Sequence, residues 1–257
     1  MGGKEYFERY ASQMAVIGKR GQAKLQKARV HIAGFGGLGN LLALFLSTAG
    51  VAYISANDPQ RLERENLGRF VCGEEADVGR YKVDAAARFF HRNRYLTFEP
   101  VVGKNESASV RSLYERADWI FSCANTIPAR VAAARMAVEL KKPIIDVGVS
   151  DGRKSLAGTI KYWLPDCADW SACPACYLDP NAAIYRHEGL LFTVLASVSA
   201  LAAHVFVAIM TGVDAAMARA RNYLTVEIGK SQVEALAVVR RRQCRVCSNK
   251  QPRNHHI

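Results

Sequence analysis

The feature that most constrains this chain is the stretch Gly34-Phe35-Gly36-Gly37-Leu38-Gly39. It lies between a short apolar run, Ala28 to Ala33 (ARVHIA), and a helical stretch from about Asn40 to Thr48. Glycine permits the tight turn and lets backbone amides approach phosphate oxygens, and the N-terminus of the next helix favours negative charge. A second apolar run, Val51 to Asn57, ends at Asp58, 22 residues after Gly36, where an acid can accept ribose hydroxyls. Gly34, Gly36, Gly37, Gly39 and Asp58 are therefore the candidate nucleotide contacts. Taken alone they leave NAD and ATP both open.

The remainder of the first 150 residues keeps alternating. Helical character over Lys82 to Arg92 is followed by a strand candidate at Phe98 to Val102. A strand at Asp118 to Cys123, a helix at Ala129 to Leu140 and a strand at Pro143 to Val149 complete the run. Short apolar strands separated by helices imply an α/β fold: a Rossmann-like, mostly parallel sheet with helices on both faces. After Gly152 the texture changes, with further strands expected at Leu156 to Leu164 and Tyr223 to Ile228. One domain over 1–257 is the simplest organisation, with a nucleotide-binding part at 28–150 and a substrate and dimer part at 151–257.

Between those C-terminal strands lies Gly189 to Val213, an uncharged run long enough to span a bilayer. Its Ala, Ser and Thr content, and His204 within it, favour a buried helix at the core or at a subunit interface. No membrane association is expected. The N-terminal MGGKEYFERYASQ has no apolar run of the kind a signal peptide needs, so a cytoplasmic setting is expected. The 35 Lys and Arg against 23 Asp and Glu leave a net charge of +12, which favours anionic partners. No nucleic-acid-reading motif accompanies that charge.

The residues after Asp58 separate the nucleotides. DPQRLERENLGRF places Asn66 and Arg69 eight and eleven residues beyond it, and Lys82 comes later, in VGRYK. Fixed cations beside a phosphate tail neutralise charge that develops on transferred or leaving phosphate. Hydride transfer has no such need. With RYASQ, GQAKLQKARVHIAGFGGLG, NDPQRLERENLGRF, DVGRYK and two later Cys pairs, the chain from about Arg9 to Cys247 resembles the ThiF/MoeB/HesA superfamily, bacterial relatives of ubiquitin-activating enzymes. The resemblance implies ATP- and magnesium-dependent adenylation of a carboxylate with release of pyrophosphate. It also implies a small ubiquitin-like carrier protein, or a peptide or small-molecule acid, as partner, and a homodimer. Asn66, Arg69 and Lys82 are then the catalytic candidates on the phosphates.

Cys173-Pro-Ala-Cys176 and Cys244-Arg-Val-Cys247 are two of the motifs that suit four-thiolate structural zinc, and the family places its pairs similarly. Free or redox-active thiols are the alternative. Three positions depart from the family's pattern. Ser12 stands where the resemblance implies an arginine reaching a neighbouring subunit's ATP. Asn125, in SCANT, stands where it implies the magnesium-binding Asp; an Asn offers oxygen without charge. The loop YLDPNAAIYRHEG holds no Cys for a thioester, so adenylation without an enzyme thioester is expected. Asp146, in PIIDVGVSDGR close to Asp151 and Arg153, is read on the carboxyl-end rim where such sheets bind ligands and is the expected replacement magnesium ligand; an acid that caps the strand or pairs with a surface cation is the alternative. The alternatives are a catalytically impaired nucleotide-binding scaffold of the same family and an NAD-dependent oxidoreductase.

Overall fold

The structure is a computed structural model that describes residues 3–150, 152–153, 155–178 and 189–248. Two helices open the chain, α1 (Gly3–Arg9) and α2 (Ala11–Lys27), the second kinked at Gly18, whose φ of 69° suits glycine. The alternating part comes next: β1 (Arg29–Ala33), α3 (Gly37–Thr48), β2 (Tyr53–Asn57), α4 (Lys82–Phe90), β3 (Thr97–Val101), α5 (Ala108–Arg116), β4 (Trp119–Ser122), α6 (Ile127–Glu139) and β5 (Ile144–Val149). Then come β6 (Ala157–Trp163), α7 (Phe192–Thr211), α8 (Ala215–Ala220), β7 (Tyr223–Glu227) and β8 (Gln232–Leu236). The helices α1, α2, α5 and α8 and the strand β8 are additions to what the sequence pattern suggests.

All eight strands form one sheet in the order β3-β2-β1-β4-β5-β6-β7-β8. The first five are parallel, and β6, β7 and β8 join antiparallel. Successive side chains on a strand face opposite sides, so β1 divides itself between two cores. Val30 and Ile32 pack with Leu41, Leu46, Val198 and Phe206 under α3 and α7, while Ala33 packs with Tyr114, Ala133 and Ala137 under α5 and α6. Helix α7 is apolar and long enough to cross a membrane, and half of its most apolar stretch is buried inside this fold. It packs on α2, α3, β5 and β6.

The strand order reverses between β1 and β4. In open sheets of this kind the carboxyl ends of the strands splay at the reversal and leave a crevice. The glycine turn after β1 and the segment Cys123–Thr126 after β4 flank that crevice. Gly34 is bound into its wall: its φ is +92°, and a Cβ there would lie 2.8 Å from the backbone nitrogen of Ala124.

Candidate functional site: a nucleotide-sized cavity at the strand-order reversal

A cavity of about 590 Å³ opens at this crevice, lined by Gly34, Gly36, Gly37, Asp58, Asn66, Arg69, Lys82 and Asn125 among others. These are the sequence-derived candidates, and they come from five separate segments. A Cβ at Gly36 would meet open space, so this turn presents bare backbone to the cavity beside the first turn of α3. Gly39 is different. It does not line the cavity, and a Cβ there would strike the Gly34 carbonyl, so its glycine serves close packing of the turn on the helix.

Asn40, which the motifs do not mark, fastens two walls together. Its side-chain nitrogen contacts the carbonyl oxygens of Gly36, Gly37 and Arg69 at 2.8, 2.9 and 3.0 Å, and its oxygen accepts from Val71 N at 2.8 Å. An Asn directly after the Gly-rich turn is the sequence signal for this role, and the structure buries it fully. The Arg69 stem in turn passes 3.6 Å from where a Gly37 Cβ would sit. Its guanidinium donates to the Glu65 carbonyl at 2.9 Å and lies 3.4 Å from the Glu65 carboxylate.

On the same side, Asp58 accepts from Phe35 N at 2.7 Å and from Gln60 N at 2.8 Å, which holds its carboxylate at the cavity wall. Lys82 starts α4 and donates to Gln60 Oε1 at 2.8 Å. Burial pushes the Asp58 carboxyl up, and the nearby Lys82 charge pulls it back. Burial pushes the Lys82 ammonium down, and Asp58 opposes that shift. Both charges are thus held at a desolvation penalty that each partly offsets for the other. Asn66 is buried and closes a capping box with Glu63 in the short 3-10 turn Arg64–Arg69.

Asp146 corrects the sequence reading. It lies inside β5, which continues three residues beyond it, and it does not line the cavity. It is fully buried and faces the α5–α6 side with Ser122 of β4 and Lys161 of β6, its register partners on either hand. Ser122 Oγ donates to it at 2.8 Å, Arg130 Nη1 at 2.9 Å, and the Lys161 ammonium stands 3.8 Å away. Its oxygens are occupied, so it does not fit a magnesium ligand. What it holds is Arg130, which does line the cavity and carries no sequence motif. Arg130 also donates to the Ala124 carbonyl at 2.8 Å and the Val147 carbonyl at 2.7 Å, and Gly148 leaves it room. Three of its five N–H groups are thereby used, and they fix the segment that carries Asn125.

The two Cys pairs meet away from the cavity. The four Sγ atoms lie within 4.8 Å of one another, with Cys173–Cys244 at 3.8 Å and Cys176–Cys247 at 3.5 Å. None is disulfide-bonded. A tetrahedral zinc–thiolate site with bonds near 2.3 Å requires sulfur–sulfur edges of about 3.8 Å. The cluster fits that donor set and would leave no position for a catalytic water. Of the remaining cysteines, Cys72 is buried against the Asn40 carbonyl, Cys123 lines the cavity but is mostly buried, and Cys167 is partly exposed. Asp151 and most of the loop between Cys176 and α7 lie outside the described residues.

Residues 10–248 match the ThiF family. The chain belongs to the ThiF family. It is 34% identical over 144 residues to the adenylyltransferase and sulfurtransferase Uba4 of Aspergillus clavatus, a match covering 55% of this chain and 29% of that protein. It therefore spans less than a third of that relative's length. The heterocyst protein HesA of Trichormus variabilis is 27% identical over 252 residues, covering 95% of this chain and 90% of HesA. Among solved structures, E. coli MccB with AMPCPP and MccA superposes with a TM-score of 0.76 at 19% identity, covering 94% of this chain and 74% of MccB. PaaA does so with a TM-score of 0.74 at 19% identity, covering 93% of this chain and 75% of PaaA. At those identities the structural likeness shows the ThiF fold.

Proposed function

We propose that this ThiF-family chain is one adenylation domain that uses ATP to activate a carboxylate as an acyl adenylate. The observation that carries the reading is the cavity, which brings the glycine turn, Asp58, Asn66, Arg69 and Lys82 onto one nucleotide-sized space. Asp58 is placed for the ribose, and the amides of the Gly36–Gly37 turn for the phosphates. A substrate carboxylate oxygen attacks the α-phosphorus, a new P–O bond forms, and the bond to pyrophosphate breaks. Arg69 and Lys82 stabilise the charge gathering on the departing pyrophosphate. Magnesium on the phosphates supplies further neutralisation when bound.

The cavity wall also carries the apolar side chains of Val149, Leu190 and Leu195, the last of them beside Gly37, so surface suited to an acyl group adjoins the glycine turn. The partner in this proposal is a small carrier protein, a peptide or a small-molecule acid; Uba4 is named an adenylyltransferase, and the MccB structure holds AMPCPP together with MccA, which supports adenylation of a bound partner. A thioester step is not part of it. The four clustered thiols suit a metal, and Cys72 and Cys123 are buried. A homodimer and a cytoplasmic setting, with zinc in the Cys cluster, complete the proposal.

ATP–pyrophosphate exchange tests it, run with candidate carboxylates and with Arg69→Ala as control. Exchange that depends on the acid and is lost in the variant supports adenylation. ATP binding with no exchange, across carrier proteins and peptides alike, favours the second reading: a nucleotide-binding scaffold, for which the uncharged Asn125 in the wall is the specific observation. The oxidoreductase alternative has no comparable support, since nothing in hydride transfer uses the Arg69–Lys82 wall.

A further inference from the structure

With Asp146 withdrawn behind Arg130 and Asn125 uncharged, three carboxylates remain among the described residues that line the cavity: Asp58, Glu63 and Glu65. Two are committed. Both Asp58 oxygens accept backbone N–H groups, from Phe35 and Gln60. Glu63 opens the 3-10 turn as the capping partner of Asn66. Glu65 has neither duty. Its side chain is 73% exposed, and its Oε1 has only long contacts, with Arg69 Nη2 at 3.4 Å and Asn66 Nδ2 at 3.5 Å.

Its position relative to the phosphate cradle is set by Arg69. The Arg69 stem lies along Gly37, and its guanidinium reaches back to Glu65, so the Glu65 carboxylate stands one guanidinium away from the glycine turn. We propose that Glu65 is the carboxylate that faces the divalent cation carried by bound ATP, and that in the empty cavity it holds Arg69 in that cation's place. The assignment rests on the nucleotide reading above.

The physical argument is a change of sign. Hard divalent cations take oxygen ligands and favour carboxylates. Without the cation, Glu65 repels the polyphosphate and competes with it for the Arg69 guanidinium. With the cation bound, the same carboxylate meets a positive charge, and Arg69 is released to the phosphates. Glu65 thus makes ATP binding depend on the metal, a selection that neither Asn125 nor the buried Asp146 can exert.

Equilibrium binding of ATP tests this by isothermal titration calorimetry, in EDTA and in magnesium, on the full chain and on Glu65→Gln and Glu65→Ala. Both substitutions are on an exposed side chain, so folding is retained. The wild-type chain is expected to bind ATP on the order of ten-fold more tightly with magnesium, the size of one charge contact screened nearly as in bulk water, as befits an exposed carboxylate. In both variants that ratio collapses, chiefly because ATP in EDTA binds more tightly than to wild type. A magnesium-to-EDTA ratio unchanged in Glu65→Gln overturns the assignment while leaving the nucleotide reading intact. Failure of the wild-type chain to bind ATP in either buffer overturns both.

Discussion

Replacing Asp146 by Asn tests the structure more sharply than any change in the cavity wall itself. The carboxylate is fully buried between two cations, Arg130 at 2.9 Å and Lys161 at 3.8 Å. Neutralising it leaves both cations buried against an amide. Breaking a buried ion pair from one side costs about 3–5 kcal/mol, and the lower end applies because Asn keeps an oxygen for Ser122. At roughly 2–4 °C per kcal/mol for a chain of this size, Asp146→Asn should lower Tm by about 6–12 °C. Burial already lowers the Lys161 pKa, and Asp146 is the charge that opposes the shift. In the variant the folded Lys161 pKa falls further below its unfolded value of about 10.4. Between those two values the unfolded chain binds more protons, so stability rises with pH. The deficit should be full below the folded Lys161 pKa and shrink as pH climbs from there towards about 10, and Lys161→Met in the same background should recover part of it. Thermal melts of the three proteins at several pH values measure all of this. A Tm for Asp146→Asn within about 2 °C of wild type would refute the network's energetic role. A changed magnesium dependence of ATP binding in that variant would instead restore Asp146 as a metal ligand.

Other substitutions separate the site from the scaffold. Arg69→Ala should abolish ATP-dependent exchange while shifting stability by less than about 1 kcal/mol, since its partner Glu65 is exposed; melts alongside the exchange assay check both. Gly34→Ala should cost more than about 1 kcal/mol, because φ is +92° and the new Cβ would press on Ala124, and equilibrium unfolding measures it. Cys176→Ser, or a strong chelator, should strip bound zinc as read by elemental analysis, and lower Tm, while ATP affinity stays within about two-fold because the cluster lies outside the cavity wall.

The parallel half of the fold is legible in the sequence because each element announces itself locally. ARVHIA, the glycine turn and the run to Asp58 are contiguous, and their order alone places a phosphate site. Strand β8 lacks an apolar run, with four of its five residues exposed, whereas helix α5 is marked only by the helical spacing of Val110, Leu113, Tyr114 and Ala117 on its buried face, which a search for apolar runs passes over. Asp146 misleads for a different reason. A place on the carboxyl-end rim would face it to the ligand, whereas it lies three residues before the end of β5 and the pleat turns it away from the cavity. Its partners Ser122 and Lys161 are 24 and 15 residues distant in sequence, and only strand register brings them side by side. Arg130 and Glu65 give no sequence signal because helix and turn charges usually face solvent. Their roles emerge only once Gly148 and Gly37 are seen to make room for an arginine against the wall.

The cysteine cluster has a consequence for the covalent integrity of the molecule. Everything between Cys176 and Cys244, including α7, α8, β7 and β8, lies within a closed circuit once a metal joins the four thiolates. A single proteolytic cut in that circuit would then release nothing: the two pieces would stay tethered through the metal until a chelator opened it. Clipped and intact chains would share one hydrodynamic size until the metal was removed, so damage in the C-terminal half would go unseen by any method that reads metal-loaded particles rather than peptide bonds.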